Sequence, residues 1–158
     1  MKEPVVGLLP LYIELYDQSL PQFRPKMEEF NQTIAAELTK RGLRVITTSI
    51  CRVKKEFETA IGRFEAEGVD AIVTLHLAYS PSLESSAALA ATRLPLIVLD
   101  TTPTHAFGPD QSPDAIMFNH GIHGVQDMCN LLLRNGKDFF IEAGHWEKSD
   151  VLDRVVTR

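Results

Sequence analysis

Five short apolar runs, each separated from the next by a helical pattern, constrain this chain more than any other feature. The runs cover residues 4–9, 44–48, 71–77, 96–99 and 139–142. They are rich in Val, Ile and Leu and show little alternation, as strands covered on both faces do. Between them, residues 22–41 place Phe23, Met27, Phe30, Ile34 and Leu38 on one stripe of a 3.6-residue helix. Residues 53–67 do the same with Val53, Phe57, Ile61 and Phe64. Residues 83–92 are Ala-rich, and residues 121–135 carry Ile122, Val125, Met128, Cys129 and Leu132. Ser149 can cap a last helix beginning near Asp150.

Three junctions share one device. Gly42, Gly68 and Gly136 each fall just past a helical pattern and just before an apolar run. Glycine enters the left-handed conformation that ends a helix at little cost. Strictly alternating strands and helices predict parallel βαβ units. The expected fold is a single α/β domain over residues 1–158: a three-layer α/β/α, Rossmann-like (flavodoxin-like) arrangement around a mostly parallel five-stranded sheet.

One stretch breaks the rhythm. Residues 101–114 hold Pro103, Gly108, Pro109 and Pro113, too much proline for a helix and long for a βα loop. The segment reads either as a functional loop or as a surface excursion ending in a short extra strand at 115–118. The final helix stops at Arg158 without a glycine cap, the look of a chain that continues elsewhere.

Composition excludes several classes. The formal net charge is −5 and Lys and Arg form no basic stripe, which argues against nucleic-acid binding. No apolar run reaches membrane-spanning length and the N-terminus lacks a signal-peptide pattern, so a cytoplasmic location is the default expectation. Cys51 and Cys129 have no CxxC partner and read as core residues. The chain has no GxGxxG after the first strand, no GxxxxGK[ST] loop and no GxSxG elbow. A receiver domain would need acidic residues where Pro10, Leu11, Tyr12 and His76 stand.

The histidines are the best clue to a site. All five (His76, His105, His120, His123, His145) fall at or beyond the carboxyl end of a predicted strand, where open α/β sheets bind ligands. The densest segment is Asn119-His120-Gly121-Ile122-His123-Gly124. With Asn119 as N-cap, His120 and His123 project from one side of a first helical turn, beside free N–H groups and the positive dipole end. They can grip sugar hydroxyls or a carbonyl oxygen, or they are two solvated polar residues at a helix start. A two-histidine metal site lacks further ligands in any recognisable spacing. Tyr12 and Tyr79 reach the same edge, either to stack on a sugar face or as ordinary rim packing.

With these residues in view, the chain resembles the N-terminal domain of the L-fucose/L-arabinose isomerase family. Residues 119–146 (NHGIHGVQDMCNLLLRNGKDFFIEAGHW) are similar to that family's NQxxHG start, helix, strand and GHW ending. Leu11-Tyr12 resembles its Leu-Tyr pair, and Tyr79-Ser80-Pro81 its Phe-Ser-Pro segment. Leu9-Pro10 departs from the arabinose-type Gln-His, His120 stands in place of Gln, and Tyr79 in place of Phe.

The resemblance implies a metal-dependent aldose–ketose isomerase acting on a sugar such as L-fucose or L-arabinose, of which this chain is one domain. It implies Mn²⁺ held by later domains and no metal ligand in this chain. It also implies a homo-oligomer, trimer or hexamer, whose N-terminal domain lends substrate contacts. His120, His123, Tyr12, Tyr79 and Leu11 are the implied substrate-contacting residues, with His123 assisting ring opening. His145 is as readily structural, bonding a loop carbonyl beside Trp146. The alternative is a stand-alone sugar-binding or regulatory module without catalysis.

Overall fold

The computed structural model describes residues 3–158. Five parallel strands form one sheet: β1 (Val5–Leu11), β2 (Arg44–Thr47), β3 (Ala71–His76), β4 (Leu96–Asp100) and β5 (Phe140–Ala143). Their order is β2-β1-β3-β4-β5, the flavodoxin-type doubly wound arrangement expected from the alternation.

Among the described residues, seven α-helices accompany the strands: α1 (Glu14–Ser19), α2 (Arg24–Lys40), α3 (Lys54–Glu67), α4 (Ser82–Ala91), α5 (Ile116–Asn119), α6 (Gly121–Arg134) and α7 (Val151–Val156). Alternate strand residues face opposite layers. Val6 and Leu8, with Val73, Leu75, Ile97 and Leu99, pack on α2 and α7. Val5, Leu9 and Leu11, with Ile72, Leu96 and Val98, pack on α3, α4 and α6. The chain steps from β1 out to β2 and then back past β1 to β3. A crossover of fixed hand must change faces when its direction reverses, so α2 and α3 lie on opposite sides. Met27, Ile34, Leu38, Phe57 and Phe64 are fully buried, and each such side chain contributes roughly 1.5–3 kcal/mol.

The glycine junctions adopt the expected left-handed conformation, with φ of 90° at Gly42, 65° at Gly68 and 68° at Gly136. Gly7, in the central strand, has a different reason. A Cβ there would stand 2.6 Å from the Phe64 ring, so α3 approaches the sheet closely only over a glycine. Ser149 lies one residue before the N-cap of α7, which is Asp150, and its Oγ accepts the Val151 N–H at 3.2 Å.

Two points differ from the sequence reading, one a correction and one an addition. Residues 115–118 form no strand. Pro113 opens a 3₁₀ turn, Ser112 accepts the Asp114 N–H, and the turn runs into α5. Proline in the first turn with a serine cap is a helix start. The second is α1, which carries no buried residue and so left no apolar stripe to read. It is tied down instead by Asp17, which receives both Arg24 (2.6 Å) and Arg52 (2.9 Å).

Candidate functional site

In this topology the chain leaves β1 toward one side of the sheet and β3 toward the other. The loops that follow these adjacent strands therefore diverge, leaving a crevice at their carboxyl ends. Tyr16, on α1 beyond β1, and Tyr79, in the loop beyond β3, stand on its two sides. His120 bridges them from the start of α6.

The bridge is a set of hydrogen bonds. His120 Nε2 lies 3.3 Å from the Tyr16 hydroxyl and 3.4 Å from the Tyr79 backbone nitrogen. An N–H only donates, so Nε2 accepts, and the neutral ring carries its proton on Nδ1. Tyr16 and His120 also stack, with centroids 5.9 Å apart and planes 28° from parallel. Burial, then the nearby His123, lowers the His120 pKa below the ordinary imidazole value. His123 lies one turn on, with its ring centroid 6.1 Å from that of His120. Its Nδ1 donates to the His120 carbonyl at 3.2 Å, and in that tautomer Nε2 is left to accept. Beside it, the Tyr79 hydroxyl donates to Asp127 at 3.2 Å. One ring donor, one ring acceptor and a carboxylate thus line up along the start of α6.

Two glycines let α6 ride this close to β3. A Cβ at Gly121 would stand 2.7 Å from the His76 carbonyl oxygen, and one at Gly124 would stand 2.6 Å from His76 Cδ2. The glycines of the His-Gly-Ile-His-Gly segment are therefore required by packing. Asn119 does not cap α6, and its neighbour His120 holds that position without a side-chain cap. The Asn119 amide instead bonds Thr104 and the Ala115 carbonyl, pinning the long loop to α5.

The other expected residues fall elsewhere. Leu11 and Tyr12 are 0% and 1% exposed, within the two apolar layers. Burial, then the nearby Asp17, pushes the Tyr12 hydroxyl up to about 12. Tyr16 presents the phenol at the site. The signal in sequence was the aromatic pair Tyr12 and Tyr16, four apart and in edge contact at 5.9 Å. His76 is buried beneath α6, and burial pushes its pKa down to about 3.

His145 is structural. Its Nδ1 accepts the Glu147 and Lys148 N–H groups, and its Nε2 donates to the Pro103 carbonyl at 3.4 Å. It clamps the loop after β4 to the loop after β5, with His105 in edge contact at 5.2 Å. Cys51 and Cys129 are free, buried core residues, as expected. Among the described residues, no three His, Cys, Asp or Glu side chains gather as metal ligands do. No helix among them is long and apolar enough to cross a membrane.

Clefts of about 390 and 430 Å³ flank Thr48–Ile50, beyond the edge strand β2. Their guanidiniums are already engaged, Arg24 by Asp17 and Glu28, and Arg52 by Asp17 and Glu56. They open on the β2 side of β1, and the candidate site is placed on its other side, at the β1/β3 crevice.

No family model matches the chain, and no curated protein matches it. Among solved structures, the chain is similar to the crystal structure of the Escherichia coli transcriptional repressor ascG, at 15% identity and a TM-score of 0.40. The match covers 96% of this chain and 65% of that one, so the chain spans less than two thirds of its neighbour's length. At that score the likeness carries no argument about function. These findings correct the isomerase resemblance: no isomerase family model and no curated isomerase matches, and the solved structure named here is that of a repressor. The isomerase identity is set aside, and with it the reason for expecting manganese.

Proposed function

We propose that this chain is a binding module for a small, neutral, polyhydroxylated ligand of the monosaccharide class, acting without catalysis. One observation carries the reading: His120, bridged through Nε2 to Tyr16 and Tyr79 across the β1/β3 crevice, keeps its Nδ1–H as a donor beside His123, whose Nδ1 is engaged and whose Nε2 is left to accept. Adjacent hydroxyls of a sugar each donate and accept, and a donor beside an acceptor is their complement. The lowered His120 pKa keeps that ring neutral at pH 7, which suits an uncharged ligand. The Tyr79 ring adds an apolar face of the kind on which a sugar stacks.

Titration calorimetry at pH 7 against free monosaccharides and acyclic polyols tests the reading. Binding of at least one is expected, weakened about tenfold or more in His123→Ala, which is about 1.4 kcal/mol. His123 is exposed, so the variant folds. Absence of binding across the panel would overturn the proposal. So would conversion of a bound sugar into its isomer, followed by NMR.

A further inference from the structure

We infer that the ligand is a polyol bearing an apolar substituent, a glycoside in preference to a free monosaccharide; this rests on the polyol reading of the same site. A cleft of about 350 Å³ opens beside the two histidines and shares Tyr79 with them. Tyr79, Pro81, Leu83 and Leu131 supply its apolar surface, and Asp127 and Asn130 its polar groups. That volume lies within the range of small-molecule sites.

The helix sets the direction. His123, Asp127 and Asn130 are four and then three residues apart, so they follow one another down a single face of α6. From His123 to Asn130 the rise is about 10 Å, at about 1.5 Å per residue. A single sugar ring held at His120 and His123 does not reach Asn130, but a ring with a substituent does.

Leu83 gives the second reason. It is 78% exposed at the first turn of α4, where a helix of this kind ordinarily shows a polar residue to water. It lines the cleft together with Leu131 of α6. The Tyr79 hydroxyl, bonded to Asp127, marks the boundary between the hydroxyl-binding end and the apolar end.

The test compares free monosaccharides with their methyl and phenyl glycosides, both anomers of each, by calorimetry. The native protein and the surface variants Leu83→Ser and Asn130→Ala are run side by side. The expected result is a phenyl glycoside bound at least tenfold more tightly than its methyl counterpart, with the gain lost in Leu83→Ser. Equal affinity for phenyl and methyl glycosides, with free sugar still bound, overturns this inference and leaves the polyol reading standing. A phenyl gain that survives in both variants also overturns it, because the substituent then lies elsewhere. No binding by any probe removes both.

Discussion

His76 and Gly124 touch so closely that no Cβ fits between them: one built on Gly124 would stand 2.6 Å from His76 Cδ2 and 3.0 Å from its Nε2. The His76 ring is enclosed, with both nitrogens lacking a hydrogen-bond partner among the described residues. It has little room to give. Gly124→Ala is therefore expected to destabilise the protein by about 1–3 kcal/mol, the ordinary cost of overpacking. Adding His76→Ala should restore part of that loss, because the two substitutions share one space. Denaturant unfolding of both singles and the double measures the coupling. Simple additivity would mean that the contact does not matter.

Acid stability follows from two groups with lowered values. The folded state holds His76 near 3, below its ordinary 6.5. As pH falls through 6.5 the unfolded chain takes up a proton that the fold refuses, so stability falls, by up to about 1.4 kcal/mol per pH unit. His120, also lowered by burial, acts in the same direction. Glu142 enters below 4.5: its hydrogen bond from Arg154, then that from Arg158, lowers its value, so its contribution is present above 4.5 and lost below. Unfolding free energy measured from pH 7 to 4 should decline, and His76→Leu should flatten the slope between 6.5 and 4.5. An unchanged slope would show that His76 is not held neutral by the fold.

The two site histidines are electrically coupled. His123 contributes to lowering the His120 pKa, after burial itself. His123→Ala should therefore move the His120 titration upward toward the ordinary imidazole value without restoring it fully. Proton NMR of the imidazole resonances across pH 4–8 reads this directly. A titration that does not move would mean that the rings do not sense one another across 6.1 Å.

His145 serves the loops. In His145→Ala the segment after β4 loses its anchor at the Pro103 carbonyl, and Glu147 and Lys148 lose the acceptor for their N–H groups. Hydrogen exchange should accelerate at residues 147 and 148 while exchange in β1 and β3 stays as it was. Ligand affinity should be unchanged. A loss of affinity equal to that of His123→Ala would move His145 into the site.

The sheet and its major helices were legible because each buries a periodic apolar set. Met27, Phe30, Ile34 and Leu38 announce α2, and Gly42, Gly68 and Gly136 mark where helices stop. What could not be read was held by polar contacts between distant residues. α1 depends on Asp17 meeting Arg24 and Arg52, and the turn before α5 on Ser112 meeting the Asp114 N–H. At the site, the convergence of histidines on one edge was visible, but exposure was not. Tyr12 and Tyr16 look alike in sequence, and only packing decides that the first is core and the second reaches His120. His76 shares the edge yet lies beneath α6, because two glycines bring that helix down onto it.

On the proposed function, a polyol binds where His120 joins the loops after β1 and β3. Backbone amide chemical-shift mapping during titration with a monosaccharide or glycoside tests it most directly. Saturable shifts clustered at Tyr16, Tyr79, His120 and His123 are expected, with no product appearing over hours. Shifts confined to Thr48–Ile50 and Arg52, or none at saturating sugar, would contradict it.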